Sequence, residues 1–171
     1  VVDEATPPDP VTLYSITKFA SERLTARMAD VWGIDALSVR LSGVFGRWER
    51  QTSVRDTPSP MFQLMMSALA EETALVPRRD ARDWTYAPDV AEAVLGVRDA
   101  QTLNHGLYNV STGVPFAVVD WGEALAARRT GFVCLLAGAA ETATMDFHHG
   151  GDRKPLSVAR LAADTGFAPK F

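Results

Sequence analysis

The chain has 171 residues, 47% of them hydrophobic and 22% charged, and its net charge at pH 7 is −4. This composition is typical of a globular domain and excludes a disordered chain, while the acidic balance argues against nucleic acid or an anionic membrane surface as the main partner. The one cysteine, Cys134, excludes an internal disulfide, and we expect it to be a buried, inert thiol in a cytoplasmic protein. No apolar run approaches the roughly 20 residues that span a bilayer.

A proline-rich loop over residues 3–10 precedes a helical pattern that runs from Tyr14 to about Trp32, with Gly33 as its C-cap. Tyr14 and Lys18 are one turn apart and therefore lie on one helix face. A free phenol has a pKa of about 10, too high for proton transfer near neutral pH, and a nearby cation lowers it. The pair predicts a proton-transfer group for a hydroxyl or carbonyl substrate. The alternative is a half-buried aromatic ring beside a solvated lysine.

Residues 34–41 are short and largely apolar, which predicts a strand covered on both faces. Residues 42–46 follow as a loop, and ligands of open parallel sheets bind in the loops at the carboxyl ends of strands. The long connection over residues 47–60 contains several arginines, which can grip a carboxylate or phosphate through two hydrogen bonds. They are Arg47, Arg50 and Arg55. The alternative is a solvated loop with scattered ion pairs.

The rest of the chain alternates between helical and strand patterns. Helices are predicted over residues 61–71, 90–99, 116–129 and 158–164, and strands over residues 73–77, 84–86, 106–111 and 132–136. Residues 78–83 are expected to form a charged turn and Ser157 to cap the last helix. This alternation predicts an α/β fold. His148 and His149 are adjacent, and no cluster has the spacing of zinc or iron ligands, so no metal is expected.

Five segments, in this order and spacing, resemble the second half of extended short-chain dehydrogenases/reductases, the NAD-dependent epimerase/dehydratase family. They are residues 6–10 with 14–18, 40–46, 82–91, 107–113 and 166–170. The resemblance implies the C-terminal part of a doubly wound, Rossmann-like parallel sheet plus a small α/β substrate-binding region. It assigns residues 1–46 and 84–113 to the dinucleotide-binding domain, and residues 47–83 and 114–171 to the substrate-binding region.

The resemblance also implies roles for individual residues. Tyr14 would be the acid–base residue, and Lys18 would hold the cofactor ribose and lower the pKa of Tyr14. The residues beside the nicotinamide would be Leu41, Ser42, Gly43 and Val44. The substrate would contact Gly43, Arg47, Arg50, Arg55 and Arg82. Arg82 would face an anionic group; the alternative is that it pairs only with Asp80, Asp83 or Asp89.

The implied activity is that of an NAD(P)-dependent oxidoreductase, epimerase or dehydratase that transfers a hydride at a carbinol carbon of a sugar or sugar derivative. NAD is the expected cofactor, with NADP as the alternative. The partners implied are this small molecule and a second copy of the chain, in a homodimer formed through the Tyr14 helix. The alternatives are a non-catalytic binding or regulatory protein with the same fold, or a sugar-nucleotide epimerase proper.

Several features depart from the family pattern. The glycine-rich phosphate loop is absent, as is the Ser or Thr that precedes the proline loop, so we expect both to belong to a first half. Gly43 stands where sugar-nucleotide enzymes usually carry Asn, and residues 149–152 read His-Gly-Gly-Asp where many carry Arg-x-Gly-Asp. These differences argue against a nucleotide-diphosphate sugar, and the arginines of residues 47–55 favour instead a smaller anionic substrate, such as a sugar acid.

Overall fold

Helices and strands alternate along the computed structural model, which describes residues 1–52, 57–147 and 151–170. The helices are α1 (Leu13–Trp32), α2 (Pro60–Ala70), α3 (Ala87–Asp99), α4 (Val118–Ala126) and α5 (Ala159–Thr165). The strands are β1 (Ser38–Leu41), β2 (Gly43–Phe45), β3 (Thr73–Val76), β4 (Ala81–Arg82), β5 (Trp84–Tyr86), β6 (Leu107–Val110), β7 (Phe116–Ala117) and β8 (Val133–Leu136). Within the described ranges, no helix is long and apolar enough to cross a membrane.

The strands associate in four pairs. β1 runs parallel to β6 and β2 parallel to β5, which joins the segment after α1 to the strands on either side of α3. β3 runs parallel to β8, and β4 runs antiparallel to β7. Ser38 lies opposite Leu107 and Leu41 opposite Val110, so the carboxyl ends of β1 and β6 meet at one edge. Parallel strands connected through helices confirm the predicted α/β fold.

The segment after β1 is a strand where the sequence predicts a loop. Residues 43–45 form β2 and pair with β5 from Trp84 to Tyr86. The loop prediction for this stretch is therefore wrong. The reason is tertiary, because a strand more than forty residues further along the chain supplies the backbone partners that local propensity does not reveal.

Two further predictions need correction. The stretch predicted as a charged turn contains β4, and the helix predicted from Phe116 begins only at Val118 because residues 116–117 pair with β4 as β7. The backbone N–H of Val118 also donates to the carbonyl oxygen of Arg79, at 3.0 Å. The last helix has Val158, not Ser157, at its N-cap, and the Ser157 hydroxyl accepts a 3.4 Å hydrogen bond from the N–H of Ala159.

The described residues form two hydrophobic clusters. The first is built from α2, α4, β3 and β8, where Leu64, Val76 and Val118 are completely buried. The second joins Tyr108 of β6 to Leu161 of α5, with α3 packed beside them. Helix α5, near the end of the chain, therefore packs against α3 and β6 and not against the first cluster.

Cys134 lies within the first cluster. It is 4% exposed, and burial, followed by the nearby charge of Glu123, raises the pKa of its thiol to about 11. The thiol is therefore protonated near neutral pH, which confirms the prediction of a buried cysteine. Gly122 of α4 packs directly against this sulfur and leaves no room for a side chain of its own.

Replacing Gly122 with Ala should lower the free energy of unfolding by about 1–3 kcal/mol. The added methyl group would overlap with the sulfur of Cys134 and lie 3.2 Å from Leu64 Cδ2. Denaturant unfolding measures the change. Combining Gly122→Ala with Cys134→Ala should recover part of it, because the second change removes the nearest atom. Equal stability of wild type and Gly122→Ala would contradict this packing.

Asp164, in the last turn of α5, accepts three hydrogen bonds. The donors are the hydroxyl of Tyr108 at 2.6 Å and the backbone and side-chain nitrogens of Asn104 at 2.8 and 2.7 Å. They lower the pKa of Asp164 to about 2, and the Tyr108 hydroxyl contributes most. The carboxylate thereby ties α5 to β6 and to the loop before it.

This depressed pKa predicts a pH-dependent contribution to stability. The folded-state pKa lies below the unfolded value of about 3.9, so the contribution is complete above that value and is lost as the pH falls toward the folded value. The stability difference between wild type and Asp164→Asn should be constant above about pH 5 and shrink below pH 4. Unfolding free energies measured across this range test the expectation, and a difference that stays the same in acid would refute it.

Candidate active site

The start of α1 is fixed by a reciprocal pair of hydrogen bonds. The Thr12 hydroxyl accepts from the N–H of Ser15 at 3.1 Å, and the Ser15 hydroxyl accepts from the N–H of Thr12 at 3.0 Å. This capping box satisfies helix donors that would otherwise lack partners. Gly33 ends the helix with φ 61°, as predicted. Tyr14 therefore lies in a first turn whose position is set by its cap.

Tyr14 and Lys18 lie together on the exposed side of this turn. The Tyr14 side chain is 72% exposed, so the half-buried alternative is wrong for the described part of the chain. The Lys18 ammonium lies 5.4 Å from the centre of the Tyr14 ring. A cation at this distance interacts favourably with the ring. The Tyr14 phenol is therefore accessible to a ligand, and the Lys18 ammonium places a positive charge beside it.

A groove of about 690 Å³ separates α1 from β1. Tyr14 and Lys18 line it together with all of β1, from Ser38 to Leu41, so the pair on the helix shares the groove with the carboxyl end of the strand. Arg40 joins the two elements at one end of the groove, since its Nε and Nη2 donate to the carboxylate of Glu22 at 2.8 Å each. These bonds raise the pKa of Arg40. The groove volume is within the range of about 300–1,000 Å³ typical of small-molecule sites.

The other predicted cofactor residues lie just beyond this groove. The Ser42 hydroxyl lies 2.6 Å from the Thr85 hydroxyl, and Val44 is opposite Thr85 in the β2–β5 register. Gly43 lies against the indole ring of Trp84, which a Cβ atom at position 43 would overlap. An asparagine at this position would therefore fit only if Trp84 moved. Of the four residues, only Leu41 lines the groove with Tyr14.

The predicted substrate arginines lie in different environments. Arg47 and Arg50 are exposed, and neither has a hydrogen-bond or ion-pair partner among the described residues. Arg47 lines a second pocket at the end of β2. The prediction for Arg55 lies outside the described residues. Residues 148–149, the adjacent histidines, also fall outside them.

Arg82 is buried, with 9% of its surface exposed. Its Nη2 donates to Asp80 Oδ1 at 2.5 Å, and its guanidinium carbon lies 5.7 Å from the centre of a Trp84 ring. The predicted alternative, a pair with Asp80, is thus present in the structure. The contact with substrate stays a prediction.

Arg153 is a charged neighbour of Arg82 that the sequence does not predict. The backbone of Ala81 holds its segment in place: Asp152 Oδ1 accepts from the N–H of Ala81, and the N–H of Arg153 donates to the carbonyl of Ala81, each at 2.8 Å. Desolvation, followed by the positive charge of Arg82, lowers the pKa of Arg153. Arg153 therefore adds a second guanidinium group to the charges around Arg82, which include the carboxylates of Asp80 and Asp83. The only sequence signal was the position of Arg153 directly after the Gly-Gly-Asp segment.

The part of the chain that the structure describes holds no group of three or more His, Cys, Asp or Glu side chains arranged for a metal ion. The arrangement places a phenol and an ammonium group together in a groove beside a parallel strand. Lys18 places a positive charge in this groove, whereas Arg82 and Arg153 lie outside its lining.

Sequence comparison finds two matches. The model of the NAD dependent epimerase/dehydratase family matches residues 2–111. An uncharacterized 37.6 kDa protein of Escherichia coli O111:H- is 29% identical over 112 residues, which cover 64% of this chain and 32% of that protein.

Solved structures show the same fold. UDP-glucuronic acid 4-epimerase from Bacillus cereus, in complex with NAD, is 17% identical with a TM-score of 0.76, and the match covers 99% of this chain and 50% of that one. RMD from Pseudomonas aeruginosa, complexed with NADPH, is 21% identical with a TM-score of 0.76, covering 99% of this chain and 55% of that one. The chain therefore spans about half the length of these structures, and its match covers about one third of the Escherichia coli protein. The likeness confirms the predicted α/β, Rossmann-like fold.

Proposed function

The chain belongs to the NAD-dependent epimerase/dehydratase family, and we propose that it carries the acid–base half of an NAD(P)-dependent oxidoreductase, epimerase or dehydratase that acts on a sugar or sugar derivative. The observation that supports this proposal is the groove in which Tyr14 and Lys18 face Leu41 at the carboxyl end of β1. The family is NAD-dependent, and the solved relatives hold NAD or NADPH. NAD is the proposed cofactor, with NADP as the alternative.

In the proposed reaction, the Tyr14 hydroxyl exchanges a proton with a hydroxyl or carbonyl oxygen of the substrate. Lys18 binds the cofactor ribose and stabilises negative charge on the phenol oxygen. Leu41, Ser42, Gly43 and Val44 form the wall beside the nicotinamide. When NAD is bound, it supplies the hydride acceptor. The size of the groove and the exposed ammonium at its side fit this part of the cofactor.

The proposed substrate is an anionic sugar derivative smaller than a nucleotide sugar. Arg82, Arg47 and Arg50 are the proposed contacts, together with Arg55. Arg82 and Arg153 offer two guanidinium groups to an anionic group, with Asp80 and Asp83 as their charged neighbours, and the Trp84 ring against Gly43 removes the space of the amide that sugar-nucleotide enzymes carry. A sugar-nucleotide epimerase and a non-catalytic protein remain the alternatives.

A cofactor-linked screen of the full-length protein tests this proposal. Sugar acids, neutral sugars and nucleotide sugars are offered with NAD and with NADP. Nicotinamide reduction is followed by absorbance to detect a dehydrogenase, and product formation is followed by chromatography, because an epimerase or dehydratase returns the hydride and leaves no net reduction of the cofactor. We expect turnover of sugar acids and little or none of neutral sugars. Turnover of nucleotide sugars alone would favour the epimerase alternative, and the absence of any turnover would favour the non-catalytic one.

The outer side of α1 supports a homodimer. No residue of α1 is buried in the described structure, and a stripe of large apolar side chains is exposed at Leu24, Met28, Val31 and Trp32. An apolar stripe of this kind requires cover. We expect a dimer at micromolar concentration by light scattering, and we expect Leu24→Lys combined with Trp32→Lys to dissociate it. A monomeric wild-type protein would contradict this prediction.

A further inference from the structure

A second pocket, of about 330 Å³, lies where β2 and β5 end beside helices α2 and α4. Its walls are the apolar side chains Phe45, Met61, Phe62, Met65, Tyr86 and Trp121. The Phe45 and Tyr86 rings are 5.6 Å apart at an angle of 43°. Aromatic rings and thioethers favour contact with a flat apolar group, and the methionines adapt to its outline.

Arg47 and Glu49 complete the pocket, and the two differ in their hydrogen bonding. Both carboxylate oxygens of Glu49 accept hydrogen bonds from Ser59, from its N–H at 2.7 Å and from its hydroxyl at 2.6 Å. Ser59 is the N-cap of α2, so this negative charge is held at the positive end of the helix. Arg47 is exposed and has no partner among the described residues. The pocket therefore presents a cation beside an apolar wall.

The elements around the pocket hold it open. Met61 is buried in the first hydrophobic cluster and fixes the start of α2, whereas Met65, one turn later, is 41% exposed at the rim. Gly46 has φ 129°, and a Cβ atom there would overlap with the Tyr86 ring. The chain can thus turn away from β2 without filling the space. Sites supported in this way by helices and strands keep their geometry.

We propose that this pocket is a substrate subsite that takes a planar apolar group, with Arg47 binding an acidic group attached to it. The assignment rests on the proposed function, because β2, which forms one wall, begins with two of the residues proposed to lie beside the nicotinamide. The Arg47 guanidinium can bind a carboxylate or a phosphate through two hydrogen bonds. The substrate class becomes an anionic sugar derivative that carries a ring or similar flat apolar substituent.

Methionine methyl signals of the full-length protein report on this pocket directly. The chain has five methionines, and Met61 and Met65 line the pocket while Met28 lies on α1. Benzoate is the probe, benzyl alcohol supplies the same ring without the charge, and acetate supplies the charge without the ring. We expect benzoate to shift the Met61 and Met65 signals and not that of Met28, and to bind about tenfold more tightly than benzyl alcohol. Unmoved Met61 and Met65 signals would overturn the assignment.

Three variants sharpen this test. Arg47→Ala should weaken benzoate binding about tenfold and leave benzyl alcohol unaffected, whereas Arg27→Ala on α1 should change neither. Met65→Glu places a carboxylate at the exposed rim, and the affinity for benzoate should fall by at least about tenfold because the two negative charges repel. The affinity for benzyl alcohol should fall by about twofold or less, because it carries no charge. Wild-type benzoate affinity in Arg47→Ala would overturn the proposal.

The subsite and the proposed function can fail separately. Substrate turnover without any shift of the Met61 and Met65 signals would remove the subsite and leave the function. The expected shifts in a protein without turnover would keep the pocket as an anion-binding site and remove the function.

Discussion

Replacing Tyr14 with Phe should lower kcat by about 10²-fold or more, because the change removes a group that transfers a proton in the transition state. The ring and its contact with the Lys18 ammonium, 5.4 Å from the ring centre, are retained. Cofactor affinity should therefore change little. Steady-state kinetics of the full-length enzyme and direct titration with NAD measure the two effects.

The control for this variant is its stability. Tyr14 is 72% exposed and its side chain is not part of either hydrophobic cluster, so loss of the hydroxyl should leave the thermal unfolding midpoint unchanged. A fall in kcat with an unchanged midpoint assigns the effect to chemistry. Unchanged turnover in Tyr14→Phe would exclude the acid–base role.

Replacing Arg82 with Ala should lower the free energy of unfolding by about 3 kcal/mol, the lower end of the range for breaking a buried ion pair. The Asp80 side chain is 2% exposed and would lose its 2.5 Å bond to Arg82. It would keep its pair with Arg78, at 3.1 Å, which places the cost at the lower end. Chemical denaturation measures the change.

The same substitution tests the substrate contact. If Arg82 binds an anionic group, Arg82→Ala should raise KM about tenfold to a hundredfold, and Arg82→Lys should recover only part because the planar fork is lost. Arg78→Ala is the matched control, because Arg78 pairs with the same Asp80 carboxylate from a side chain that is 34% exposed. This control should lower the free energy of unfolding by about 1 kcal/mol or less. A wild-type KM in Arg82→Ala would show that Arg82 only holds Asp80.

Much of the fold could be predicted because its signals are local. The long helix α1 has apolar positions at helical spacing and a glycine directly after Trp32, and both its existence and its end are visible in the sequence. The two-residue strands β4 and β7 are not, because each exists only through its pairing with the other. β2 was missed for the same reason, since its partner is β5. Short strands have too few residues for a period to emerge.

In the candidate site, too, contacts between residues close in sequence could be predicted and contacts between distant residues could not. Tyr14 and Lys18 are one helical turn apart, so the sequence brings them together before any tertiary contact forms. The bond between Arg82 and Asp80 is also local, since the two residues are two positions apart, and the sequence predicts it as the alternative to a substrate contact. Arg153 reaches the backbone of Ala81 across a large separation in sequence, which no spacing rule reveals. The second pocket is likewise assembled from four separate elements.

The ordering of α1 depends on what covers the helix, because none of its residues is buried in the described structure. The helix that carries Tyr14 is held by its caps, by the Arg40–Glu22 pair and by few other contacts with β1. Such an element opens locally at a lower free energy than the core strands do. In the proposed dimer, a second copy that covers the part of α1 left exposed by the first half of the domain would suppress this local unfolding by mass action, and the fraction of molecules with an ordered Tyr14 turn would rise with protein concentration. Catalytic competence would then be thermodynamically coupled to association.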